Sequence, residues 1–114
     1  MIQFNQNVVE LSVGCFLDLE REALVKDGSI VLFSRVEYRI IKCIVRKLAR
    51  PVSFEEIIDY VWGTGYSEYI QYDKEKLYVY IHRIRKRIED SPSQPKHLLS
   101  VQGFGYLLSP STNL

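Results

Sequence analysis

Residues 74–89, KEKLYVYIHRIRKRIE, constrain the fold more than any other stretch of the chain. Leu77, Ile81, Ile84 and Ile88 recur at spacings of 4, 3 and 4, which puts them on one side of an α-helix. At about 100° per residue, the opposite side carries Glu75, Val79, His82, Arg83 and Lys86. Tyr78 with Arg85, and Tyr80 with Arg87, flank the two sides. Residues 74–88 hold six Lys/Arg against one Glu, a net of +5, whereas the whole chain is +1, so the remainder sums to −4. Positive charge gathered on one helix of a nearly neutral chain is the footprint of a helix that meets nucleic-acid phosphates. A solvated outer face is the plainer reading of any charged amphipathic helix, and taken alone this helix favours it. The lack of acidic partners at i,i+4 departs from that reading, so the flanking sequence has to decide.

With 114 residues the chain is expected to form one domain around one core. No apolar run approaches the roughly 20 residues that span a bilayer, and MIQFNQNVVE at the start lacks a signal-peptide pattern. Cys15 and Cys43 do not make a disulfide framework, and Cys43 reads as a small core residue in an apolar helical run. The expected compartment is reducing, the cytoplasm. His82 and His97 are the only histidines, and no Ser/His/Asp, Cys/His or metal-spaced cluster appears, which argues against an enzyme and against a bound metal or cofactor. His97 is expected on the surface at a strand start, and His82 as a polar residue on the outer face of the basic helix.

Along the chain, VVEL (8–11), CFLDL (15–19), EALVKD (22–27) and SIVLF (29–33) read as short antiparallel strands, with Asp27-Gly28 as a tight turn. Ser34-Arg35-Val36-Glu37 has the form of a capping box and opens a first helix, whose stripe of Tyr38, Ile41, Ile44, Val45 and Leu48 runs to a stop at Arg50-Pro51. Ser53-Phe54-Glu55-Glu56 is a second box, opening a helix that carries Ile57, Ile58, Val61 and Trp62 and ends at Gly63. Residues 63–73 form a tyrosine-rich loop before the basic helix. LLSV and YLLS then flank QGFG, whose Gly103 and Gly105 offer the positive φ of a hairpin turn. Two short helices, a basic helix and a hairpin outline an α+β winged helix-turn-helix: an N-terminal four-stranded antiparallel sheet, a three-helix core and a C-terminal β-hairpin wing. The domain is expected over 8–110, with tails at 1–7 and 111–114.

Four segments, in order and at the right spacing, carry a family resemblance. FSRVEYRII (33–41) is similar to L-T-x-x-E-F-x-L-L, and RPVSFEEIIDYVWG (50–63) to R-x-V-S-x-E-E-L-x-x-x-V-W-G. LYVYIHRIRKRIED (77–90) is similar to V-D-V-H-I-x-R-L-R-x-K-L-E, and VQGFGYLL (101–108) to V-R-G-x-G-Y-x-L. Over roughly 30–108 the chain therefore resembles the effector domain of OmpR/PhoB-type bacterial response regulators, and the initial strands fit that family's N-terminal sheet.

The resemblance implies sequence-specific binding of double-stranded DNA on tandem half-sites, with the helix at about 74–89 in the major groove and the hairpin 98–108 as the wing. Val79 and Arg83 fall on the groove face: arginine can donate twice to guanine O6 and N7, and valine can pack on a thymine methyl. Tyr80 stands where the family has a histidine near the phosphates, and Arg85, with Lys76 and Lys86, is a candidate phosphate contact. His82 joins this face. Leu77, Ile81, Ile84, Ile88, Trp62 and Tyr106 are better read as core.

The chain departs from the family at three places. Gln102 replaces the usual wing arginine, Glu75-Lys76 replaces an R-T pair at the helix start, and the loop 63–73, a contact for RNA polymerase in family members, is longer than usual. A phosphoacceptor receiver domain is not within these residues and is expected elsewhere. The alternative function is a winged-helix interaction module whose basic helix docks an acidic protein partner.

Overall fold

The computed structural model describes residues 7–63 and 70–110; the tail residues 1–6 and 111–114 and the loop residues 64–69 lie outside the described part. Alternating apolar residues at the start produce four antiparallel strands: β1 (Val8–Ser12), β2 (Cys15–Asp18), β3 (Ala23–Lys26) and β4 (Ser29–Leu32), paired in that order. Leu11, Cys15, Leu17 and Leu24 point from one face of this sheet into the core. Asp27 at φ 50° and Gly28 at φ 82° make the two-residue turn between β3 and β4, and Lys26 pairs with Ser29 across it.

Helix α1 (Arg35–Val45) opens with the reciprocal capping box: the Glu37 amide donates to Ser34 Oγ at 3.2 Å, and the Ser34 amide donates to Glu37 Oε1 at 3.3 Å. The helix ends at Val45, short of the Arg50-Pro51 stop that the sequence suggests. Lys47, Leu48 and Arg50 bond to carbonyls three residues back, and the Ala49 amide leaves the helix altogether to donate to Leu108 O at 2.9 Å. Tertiary capture of one amide, rather than the proline, sets this end.

A two-residue strand, β5 (Val52–Ser53), precedes α2 (Phe54–Trp62). Ser53 Oγ accepts from the Glu56 amide at 3.1 Å, but Glu56 Oε1 takes Lys47 Nζ at 2.8 Å, so the second box has a competing ion pair. Gly63 closes α2 in the left-handed conformation, at φ 65°.

Helix α3 (Ile70–Ile88) begins four residues before Lys74, so the last part of the expected loop 63–73 is helical. Nothing in Ile70-Gln71-Tyr72-Asp73 breaks a helix, and Asp73 lies favourably in the first turn. The buried row is the expected one: Leu77, Ile81 and Ile84 are fully enclosed and Ile88 nearly so. Each contributes about 1.5–3 kcal/mol through apolar burial.

The C-terminal hairpin, β6 (Leu98–Val101) and β7 (Gly105–Leu108), gains β5 as a third strand in the order β5-β7-β6. Only Gly103 uses positive φ in this turn. Gly105 is needed for a different reason: a Cβ there would overlap the carbonyl oxygen of Val52 on the added strand. His97 is buried, correcting its expected surface position. Its Nδ1 lies 3.0 Å from Ser109 O, and its amide, with those of Lys96 and Leu98, donates to the buried Glu89 carboxylate at 2.7–3.2 Å. A carboxylate at the end of α3 thus fixes the first residues of β6.

Candidate nucleic-acid interface

Burial of the apolar row of α3 leaves its other side outward. Val79 is 47% exposed, and Glu75, His82, Arg83 and Lys86 are exposed beside it. Glu75, Lys76, Val79, Tyr80 and Arg83 line a shallow groove of about 370 Å³. The sequence therefore foretold which face stays open, and the structure brings three of these residues, Glu75, Val79 and Arg83, to one depression with Lys76 and Tyr80.

The cations on this helix are sorted by what they touch. Lys76 Nζ sits 4.5 Å from the centroid of the Trp62 ring, and the Arg83 guanidinium 5.2 Å from that of Tyr80. Trp62 and Tyr80 themselves pack with centroids 6.1 Å apart. Each contact between a cation and an exposed ring is worth about 0.5–1 kcal/mol, enough to bias a long side chain without immobilising it. Trp62, read from the sequence as core, is half-buried and is the platform from α2 on which Lys76 and Tyr80 rest. Lys74 lies 5.0 Å from the Phe54 ring in the same manner.

Two further arginines are directed into the protein. Arg85 is half-buried: its Nε donates to Leu98 O at 2.9 Å and its Nη2 to Ser100 Oγ at 3.0 Å, with its guanidinium 5.9 Å from the Tyr106 ring. Arg87 Nε pairs with Glu37 Oε1 at 2.7 Å, and Glu37 is only 3% exposed. Of the six cations counted in 74–88, two are engaged in holding α3 to the hairpin and to α1, which leaves four outward. Sequence periodicity placed Arg85 and Arg87 at the flanks of the helix but could not reveal these partners.

At the hairpin turn Gln102 is exposed, followed by Phe104, 46% exposed. Phe104 went unnoticed in the sequence because an aromatic in a turn carries no periodic signal. The Phe104 carbonyl accepts the Phe54 amide at 2.9 Å, tying the turn to the start of α2. Gln102 belongs to this hairpin and does not line the helix groove. Among the described residues no group of His, Cys, Asp and Glu is arranged to hold a metal, and no helix is long and apolar enough to cross a membrane.

Comparison with known proteins gives these features a context. Residues 28–108 match the family described as "Transcriptional regulatory protein, C terminal". The transcriptional regulatory protein KdpE of Mycobacterium tuberculosis is 34% identical over 104 residues, 91% of this chain and 44% of that protein. The chain thus spans less than half the length of such relatives. Among solved structures, the Klebsiella pneumoniae RstA DNA-binding domain in complex with RstA box aligns with a TM-score of 0.75 at 17% identity, covering 93% of this chain and 100% of that one. The C-terminal effector domain of BfmR from Acinetobacter baumannii aligns with a TM-score of 0.72 at 26% identity, covering 98% of each chain. The fold is the winged helix of these domains, and the chain belongs to the OmpR/PhoB-type family of C-terminal DNA-binding domains of transcriptional regulators, a family of binding domains and not of enzymes.

Proposed function

We propose that this domain binds double-stranded DNA sequence-specifically, laying the outer face of α3 in the major groove and bringing the β6–β7 hairpin to the adjacent minor groove. The observation that carries this reading is the outward face of α3, where Val79 and Arg83 stand between His82, Lys86 and the ring-supported Lys76 while the opposite row is fully buried. Arg83 is the candidate guanine reader, Val79 the candidate thymine contact, and Lys76, Tyr80 and Lys86 the candidate phosphate contacts. Arg85 contributes by holding the hairpin against the helix and keeps one terminal nitrogen, Nη1, for a phosphate.

The RstA domain was solved in complex with RstA box, which supports duplex binding here; because a single small domain offers limited contact area, the reading includes two copies on tandem half-sites about one helical turn apart. Contact with RNA polymerase through 63–73, and a receiver domain elsewhere in the same regulator, complete the proposed setting in the cytoplasm. Binding to RNA polymerase by a variant with 64–69 replaced by a glycine-serine linker tests the first of these.

Selection from random duplexes, followed by salt titration on the recovered site, tests the whole reading. Binding to the recovered site should be at least about a thousandfold tighter than to scrambled DNA. With four outward cations on α3 and Arg85 as a fifth phosphate contact, the helix should contribute a slope of log K against log salt no steeper than about −4.5. Equal affinity for recovered and scrambled duplexes would reject the reading and favour docking to an acidic protein.

A further inference from the structure

A carboxylate lies on the face proposed to enter the groove. Glu75 is exposed, sits one helical turn before Val79 and two before Arg83, and lines the same depression as both. No ion pair reaches it among the described residues. Its nearest cations along the helix are drawn aside, Lys74 onto Phe54 and Lys76 onto Trp62. An unneutralised carboxylate beside phosphates weakens binding to every sequence by repulsion, unless a base offers it a hydrogen.

Glu75 is acceptor-only when ionised, so it needs a donor at a base edge. In the major groove the exocyclic amines of cytosine and adenine are the donors, and guanine and thymine offer acceptors there. Adenine sets its N7 acceptor next to that amine, where it would face the second carboxylate oxygen. Cytosine presents its N4 amine beside its own C5 hydrogen, so the nearest acceptor lies across the pair, on guanine O6.

We infer that Glu75 is a specificity-determining residue that selects cytosine by accepting a hydrogen bond from its N4 amine, and that it penalises other bases at that position; this rests on the duplex-binding reading above. Eight residues separate Glu75 from Arg83, a rise of about 12 Å along the helix. At about 3.4 Å per base pair along the duplex axis, and with a helix in the groove inclined to that axis, the cytosine lies no more than about four base pairs from the guanine that Arg83 reads.

The test is selection from random duplexes with the native domain and with Glu75→Ala, which removes both the acceptor and the charge, followed by affinity measurements on the recovered site. The native domain should recover cytosine at that spacing. Glu75→Ala should lose about fivefold to tenfold of the discrimination there, the low end for one base contact. It should also bind scrambled duplex about twofold to fivefold more tightly, because a repelling charge is gone. Replacing that cytosine with N4-methylcytosine, which removes the groove-facing hydrogen, should weaken the native domain and leave Glu75→Ala nearly unaffected. Glu75 is exposed, so thermal melting should show both proteins equally folded. If both proteins bind a selected site but recover the same base at that position, the inference is overturned while duplex binding stands. If neither prefers any duplex, both readings fall.

Discussion

Arg87 Nε lies 2.7 Å from Glu37 Oε1, joining the last turn of α3 to the first turn of α1 across 50 residues of sequence. The same Glu37 oxygen accepts the Ser34 amide, so one buried carboxylate closes the capping box and anchors the neighbouring helix. Arg87→Ala would leave that carboxylate without its charged donor, and should cost about 1.5–3 kcal/mol of stability, the range for a hydrogen bond to a charged group. Sequence preference on DNA should be unchanged. Urea unfolding of the variant, beside selection of its site, checks both halves; a stable variant with altered preference would show Arg87 to be a DNA contact.

Arg83 and Arg85 stand two residues apart and should behave differently. Arg83→Ala should cost about 1–3 kcal/mol of binding and relax preference at one position of the site. Arg85→Ala removes two bonds to β6 and should lower stability by about 1–3 kcal/mol and weaken all sequences alike. Binding and melting measured on both variants separate the two roles. Equal losses on every sequence from both would show that Arg83 does not read a base.

Gln102 makes the wing turn neutral where family members usually place arginine. Gln102→Arg should tighten binding, steepen the salt slope by up to about one unit and favour A·T-rich flanks, since a guanidinium is drawn to a narrow minor groove. Salt titrations of both proteins, on sites that differ only in flank composition, decide the point. Unchanged slopes and flanks would mean that the hairpin stays outside the groove.

Burial pushes the Cys43 thiol up to about 11 from its ordinary 9.0, and the nearby Glu56 charge acts in the same direction. The folded state holds that proton more tightly than the unfolded chain. Its contribution to stability is therefore complete below pH 9, falls as pH rises from about 9 to 11, and is gone above that. Burial also raises Cys15, Tyr38 and Tyr106, which reinforces the trend. Urea unfolding at intervals from pH 8 to 11 should show declining stability, with a shallower decline for Cys43→Ala. Identical slopes for the two proteins would exclude Cys43 as a source.

What could be foretold divides by the range of the interaction. The buried row of α3, the capping box at Ser34 and the Asp27-Gly28 turn all depend on neighbours within a few residues, and local pattern was enough. The end of α1 departs from the sequence expectation because the Ala49 amide bonds to Leu108, 59 positions away. His97 looked like a surface residue because its burial depends on Glu89 and Ser109, neither of which announces itself by spacing. The sequence suggests turn geometry for Gly105, whereas its requirement comes from a strand, β5, too short to show any alternation. On the interface, the outward residues were legible from the helical wheel. The split of its cations between solvent and scaffold was not, since Arg85 and Arg87 look identical to Arg83 until their partners are known.

Because Arg85 bonds to the β6 backbone and Phe104 to that of α2, the helix and the hairpin tip are clamped at a fixed separation before any duplex arrives. The domain works as a gauge with its jaws already set. On the docking proposed above, a duplex whose major and minor grooves lie at another spacing must itself bend or twist to be gripped. Base steps that deform easily between the two contacts would then be favoured without being touched, and a stiff insert of equal length would be rejected.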